Sequence, residues 1–200
     1  MKLCIATPTH AGTFPVSFTV SLMNTIKAMT AMGLEVQWRV LSGSSFIHEA
    51  REQMAREFLA SDYTDLLFID DDMGWNELEL LTMAASDVEV VGAICPKKKD
   101  DTEFCVNLLK NASGERITYC GLLECAYVGT ALLRIKRSAF SRLPGRFFNI
   151  EHTKTGMMGE DAWFCREFRK HGGRVWADPR LLVTHTGRKD WQARYADEAK

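Results

Sequence analysis

No stretch of this sequence approaches the roughly 20 consecutive apolar residues that a membrane-spanning helix needs, and Met1-Lys2-Leu3-Cys4-Ile5-Ala6-Thr7 is too short an apolar run for a signal peptide. The expectation is a soluble, cytoplasmic chain. An excess of one charge is also missing. Lys and Arg number 25 against 26 Asp and Glu, a formal net charge of −1, so no general electrostatic drive pulls the chain toward nucleic acid or an anionic membrane. Partners have to be argued from sites. The six cysteines (Cys4, Cys95, Cys105, Cys120, Cys125, Cys165) show no CxxC spacing, which excludes the usual zinc and redox motifs and reads as reduced, intracellular cysteine. Internal repeats, low-complexity segments and linkers are absent as well. What is present is 200 residues at 46% hydrophobic and 26% charged, enough for one domain with a substantial core and too little for two full ones.

The first half alternates regularly. Residues 3–7 read as a buried strand stopped by Pro8, and a helix follows from Ser17 as N-cap, with Phe18, Leu22, Ile26 and Met29 on one face and Gly33 as its stop. A strand over 35–41 leads to a helix over 46–59, whose outer face carries Glu52 and Arg56 as an i,i+4 pair. Arg51 falls beside the apolar stripe of that helix, three, four and seven residues before Met54, Ala55 and Phe58. A charge there either snorkels outward or reaches a buried anion. An apolar strand from Leu66, a helix over 76–86 and a strand over 89–95 complete four strands alternating with three helices, the pattern of a parallel α/β sheet. After Pro96 the regularity fails. The charged loop Lys97-Lys98-Lys99-Asp100-Asp101 precedes short strands near 104–109, 122–127 and 130–135, a short helix over 138–143 and a strand over 146–150. A loop over 151–159 then leads into a helix over 160–171 and strands over 174–177 and 181–185, so this half reads as mixed or antiparallel.

The chemistry gathers at element ends. Leu66-Leu67-Phe68-Ile69 runs straight into Asp70-Asp71-Asp72. Three adjacent carboxylates repel one another in a dry interior, so they belong at the open end of the strand, where a divalent cation neutralises them or where they form a solvated acidic turn. The carboxyl edge of an α/β sheet is also where ligands bind. Glu160 and Asp161 open a helix, where free N–H groups favour negative charge. Asp161 shares a stripe with Phe164 and Phe168, so it points inward as a catalytic or substrate-binding candidate, with helix capping as the plainer account. His185 ends a strand, where a neutral imidazole completes a carboxylate metal site or simply packs, and Arg188 and Lys189 follow within reach of a phosphate. Lys97-Lys98-Lys99 sits where it can close over a diphosphate, meet an acidic acceptor, or remain a solvated loop.

Taken in order, Phe68-Ile69-Asp70-Asp71-Asp72-Met73, Gly159-Glu160-Asp161-Ala162-Trp163-Phe164 and Val183-Thr184-His185-Thr186-Gly187 resemble the motifs of GT-A nucleotide-sugar glycosyltransferases of the family-2-like kind. The resemblance spans the chain from Leu3 to about Trp191. It implies a Rossmann-like three-layer α/β/α fold with a mostly parallel central sheet and a smaller mixed half. Residues 1–95 would bind the nucleotide sugar, and 96–200 would carry the acceptor side and the catalytic group. Asp72 would bind Mn²⁺ or Mg²⁺ directly, Asp70 would hold the ribose or a metal-bound water, Asp71 would adjoin the donor, and His185 would add a ligand. Thr7, Pro8 and Thr9 would line the nucleotide pocket, with Arg51 near the nucleotide. The donor would be a UDP- or GDP-sugar, the acceptor is unspecified, and Asp161, flanked by Glu160, would be the base of an inverting reaction. Some retaining relatives carry a His-x-x-Gly-x-x-Lys-Pro-Trp segment. His185-Thr186-Gly187-Arg188-Lys189-Asp190-Trp191 is shorter and lacks its proline, which leaves the role of Lys189 and the stereochemistry open. Two rivals are a metal-dependent nucleotidyltransferase or phosphohydrolase, since the aspartates suit phosphoryl chemistry, and a non-catalytic nucleotide-sugar-binding module.

Overall fold

In β1 (Lys2–Thr9), Leu3 and Ile5 alternate with Cys4 and Ala6, and all four are buried. A strand covered on both faces belongs inside a helix-sheet-helix sandwich. The computed structural model describes residues 1–101, 103–154, 156–187 and 190–198. In chain order β1 is followed by α1 (Val16–Ala31), β2 (Glu35–Ser42), α2 (Ile47–Leu59), β3 (Asp65–Ile69), β4 (Met73–Trp75), α3 (Glu77–Ala84) and β5 (Val90–Ala93). The second half contributes β6 (Val106–Leu108), β7 (Thr118–Tyr119), β8 (Leu122–Val128), β9 (Leu132–Lys136), α4 (Arg137–Phe140), β10 (Glu151–Thr153), β11 (Gly156–Met158), α5 (Glu160–Lys170), β12 (Val175–Asp178), β13 (Val183–Thr186), β14 (Asp190–Ala193) and α6 (Tyr195–Glu198).

The main sheet is nine-stranded in the order β2-β1-β3-β9-β5-β12-β8-β6, with β7 also on β8. Pairings fix the directions. β2, β1, β3, β5, β12, β6 and β7 run one way, and only β9 and β8 run against them. The sheet is therefore mostly parallel, as expected. Leu3, Ile5, Leu67 and Ile69 pack under α1 and α3 with Phe18, Leu22, Met29, Leu80 and Met83. Cys4, Ala6, Leu66 and Phe68 face the opposite layer, built on Phe58 of α2, Phe140 of α4 and Phe164 and Phe168 of α5. All six cysteines are free. Among the described residues, no helix is long and apolar enough to cross a membrane.

Several local expectations are corrected. Pro8 does not stop β1, which continues to Thr9 paired only with β2. β3 matches just Leu3 to Ala6, so the missing N–H of Pro8 falls on an open side of the strand, where no ladder bond is lost. Pro15, not Ser17, is the N-cap of α1, and the Ser17 hydroxyl instead shares a hydrogen bond of 3.2 Å with Thr186 Oγ1. Glu52 is buried rather than on an outer face. Besides its ion pair with Arg56, it accepts the N–H groups of Phe147 and Phe148 at 2.7 and 3.0 Å. That carboxylate supplies what a ladder would, so 146–150 is irregular rather than a strand. The expected loop over 151–159 is instead the antiparallel β10–β11 hairpin. Met73 opens β4, which with β13 and β14 forms a separate three-stranded sheet.

Candidate functional site

The turn from β3 to β4 carries Asp70, Asp71 and Asp72 and is pinned at both ends. Asp70 N–H donates to Ala131 O at 3.0 Å, and Thr186 N–H donates to Asp72 O at 2.8 Å. Antiparallel pairing of β4 with β13 sets His185 opposite Met73. The histidine therefore lies one residue from Asp72 across the ladder. Gly74 permits this assembly to lie against α1, since a Cβ there would come within 2.9 Å of Ser17 Cβ.

His185 Nδ1 lies 2.8 Å from Pro96 O. A carbonyl only accepts, so Nδ1 carries the proton and Nε2 is left for the site. Nε2 stands 3.5 Å from Asp72 Oδ1, a buried oxygen with no hydrogen-bond partner. Lys98 donates to the other oxygen, Asp72 Oδ2. Burial works against the Asp72 anion, but His185 and Lys98 beside it hold its carboxyl below the usual range. Burial likewise opposes charge on His185, and Asp72 and the Pro96 carbonyl outweigh it to raise its pKa.

Asp70 has different partners. Arg51, only 2% exposed, donates from Nη2 to Asp70 Oδ1 at 2.6 Å and from Nη1 to Glu160 Oε1 at 3.4 Å. The buried anions that an inward arginine needs are thus two carboxylates of the protein, one after β3 and one at the start of α5. Burial pushes the Asp70 carboxyl up, Arg51 opposes that, and Asp72, Glu160 and Asp71 add to it.

Two cavities flank this ion-pair bridge. One, of about 280 Å³, is lined by Pro8, Thr9, His10, Ser44, Ser45, Ile47, Ala50, Asp70, Asp71 and Asp72. Thr7 stays in the sheet behind it, accepting a hydrogen bond of 3.0 Å from Trp38 Nε1. The other cavity, of about 420 Å³, is lined by Lys97, Cys105, Tyr127, Thr153, Gly156, Met157, Met158, Gly159, Asp161 and Ala162. Asp161 is half-buried above Phe164, Cys165 and Phe168, and its Oδ1 accepts the N–H of Ala162 at 2.6 Å. Glu160 and Asp161 thus part company: the first faces Arg51, the second faces the larger cavity. Lys189 lies outside the described residues.

His10, Ser44 and Ser45 were not singled out in the sequence, nor were Tyr127, Met157 and Met158. They stand on loops, strand ends and the hairpin, where no periodicity marks them. Among the described residues, no group of three or more His, Cys, Asp or Glu side chains is arranged to hold a metal ion. The unpartnered Asp72 Oδ1 with His185 Nε2 facing it does fit a two-ligand share of a divalent site, the rest falling to water or a diphosphate.

No protein-family model and no curated protein sequence matches the chain. Solved structures do match. The A197 protein from STIV is 20% identical, with a TM-score of 0.62 over 94% of this chain and 86% of that one. GalNAc-T7, solved with UDP, GalNAc and Mn²⁺, is 11% identical, with a TM-score of 0.61 over 97% of this chain. The match takes in only 44% of GalNAc-T7, so this chain spans less than half the length of that relative. A UDP-glucose pyrophosphorylase complexed with UDP-glucose is 8% identical, with a TM-score of 0.52 over 92% of this chain and 93% of that one. At such identities the likeness is one of fold, and the fold is GT-A-like and Rossmann-like.

Proposed function

We propose that this chain is a glycosyltransferase that moves a sugar from a UDP- or GDP-sugar to an acceptor hydroxyl. The observation that carries the proposal is the meeting of Asp72 and His185 through β4–β13 pairing at the lip of the smaller cavity, with a buried carboxylate oxygen left unpartnered. Two of the proteins sharing this fold were solved with UDP or UDP-glucose, which supports a nucleotide-sugar donor. Pro8, Thr9, Asp70 and Asp71 shape the nucleotide cavity, and Thr7 backs it through Trp38. Arg51 holds Asp70 and Glu160 in register, so the donor side and α5 keep a fixed spacing. Asp72 and His185 would hold Mn²⁺ or Mg²⁺, which when bound neutralises the departing diphosphate. Asp161, in the larger cavity, accepts the proton of the attacking hydroxyl in an inverting transfer.

A thermal-shift series with UDP, GDP and their sugars, with and without Mn²⁺, tests this. Binding to the native state raises the melting temperature by mass action, so one nucleotide with Mn²⁺ is expected to stand apart. No shift with any nucleotide overturns the proposal. The match to a pyrophosphorylase along nearly the full length of both chains favours a second reading, nucleotidyl transfer. Release of pyrophosphate from a nucleoside triphosphate and a sugar phosphate would establish it.

A further inference from the structure

The run Lys97-Lys98-Lys99 divides its labour. Lys97 and Lys99 both pair with Glu103, on the outside of the loop. Lys98 turns the other way, onto Asp72. Its position is built rather than incidental. The loop base is pinned by Lys97 N–H to Glu103 O at 2.7 Å, Cys105 N–H to Cys95 O at 2.9 Å and the bridge from Pro96 to Phe104. The Pro96 carbonyl also fixes the His185 ring, so one short segment sets both Lys98 and His185 against the same carboxylate. The Lys98 stem passes over Gly187, where an added Cβ would meet Lys98 Cδ at 3.2 Å and the Trp191 ring at 2.7 Å. A side chain at 187 would clash with the Trp191 ring and crowd the lysine stem.

An ammonium on Asp72 Oδ2 competes, charge against charge, with a divalent cation held by Oδ1 of the same carboxylate and by His185. We infer that Lys98 is a stand-in cation: it neutralises Asp72 while the site is empty and moves to a phosphate oxygen of the donor diphosphate once Asp72 is taken by a metal ion. This rests on the donor assignment above and adds a substrate-contacting residue to it. The charge logic is simple. With the metal bound, Asp72 no longer needs the lysine, and the incoming diphosphate is the nearest anion that does. Lys98 is 36% exposed and its Asp72 partner 30%, so the exchange requires no burial of a bare charge.

Lys98→Met keeps the stem over Gly187 and removes only the charge. Two measurements are read on the wild-type chain and this variant: Mn²⁺ binding to the nucleotide-free protein by electron paramagnetic resonance, and UDP binding at saturating Mn²⁺ by calorimetry. The expected signature is of opposite sign. Mn²⁺ alone binds several-fold more tightly to the variant, because its competitor is gone. UDP with Mn²⁺ binds on the order of tenfold more weakly, because a charge-assisted contact to phosphate is lost. Lys98→Arg retains a charge and is expected to restore most of the UDP affinity. A purely structural salt bridge would weaken both or change neither, and either result overturns the inference. So does the absence of Mn²⁺ binding in both proteins. If wild type and variant bind Mn²⁺ with the expected order but neither binds any nucleotide, the donor assignment fails together with the phosphate role of Lys98, while its competition for Asp72 stands.

Discussion

At the scale of single residues, Asp161 has an observed contact and a proposed role, and a single substitution separates them. Its Oδ1 accepts the Ala162 N–H at 2.6 Å, a local contact that the carbonyl oxygen of asparagine reproduces. Asp161→Asn is therefore expected to leave the melting temperature and donor affinity unchanged while lowering transfer on the order of 10²-fold or more, because a base acts only in the transition state. Single-turnover transfer and UDP calorimetry check the two halves; transfer at the parental rate removes Asp161 from the mechanism. Asp70 and Asp72 show why a triplet is not one chemical unit. Arg51 holds the first, and Lys98 with His185 holds the second. Asp70 and Asp72 are thus each answered by a basic side chain of their own, Arg51 for one and Lys98 for the other.

At the scale of elements, β9 is the strand that the alternating pattern of the first half did not disclose. It runs antiparallel between β3 and β5, and Arg134 at its centre is fully buried. Its guanidinium donates to Val88 O at 2.6 Å, Ser86 O at 2.8 Å and Ser86 Oγ at 2.9 Å. The loop between α3 and β5 is thereby tied to the sheet, although burial lowers the arginine's pKa to about 10. Arg134→Met fills similar space but strands those carbonyls and leaves the buried Asp65 carboxylate, 3.9 Å from the guanidinium, without its cation, and we expect a loss of about 3–5 kcal/mol in urea unfolding. A loss below about 1 kcal/mol, the value of an ordinary surface pair, would show that water reaches the loop. β4 matters differently. At three residues it contributes little area, yet its register with β13 is what brings His185 to Asp72.

At the scale of the whole molecule, the two halves of the chain are interleaved. β9 comes from the second half and separates β3 from β5, and β12 covers the far side of β5. Residues 1–95 alone would leave β5 without either neighbour and expose the faces of Leu66, Phe68 and Val90 that Phe148, Phe164 and Ile135 share a core with. A fragment of residues 1–95 is expected to show no cooperative thermal transition and to bind no nucleotide, whereas mixing it with residues 96–200 should restore both. Cooperative unfolding of the fragment by itself would mean that the donor side is an independent unit.

The sequence alone determined the sandwich. The continuous apolar runs of β1 and β3 and the helical stripes of α1, α2 and α5 each follow from local periodicity, which a chain carries wherever it folds. It also marked Arg51 as a charge that either snorkels outward or reaches a buried anion, and it placed Asp72 and His185 at element ends. Tertiary structure alone decided which of these meet. The insertion of β9, the β4–β13 pairing and the Lys98 contact join residues 26 to 112 positions apart, through hydrogen-bond registers that no local pattern encodes. Asp72 Oδ1 is buried without a hydrogen bond yet 3.5 Å from His185 Nε2 because β13 pairs with β4 beside it, and that is a property of the assembled fold.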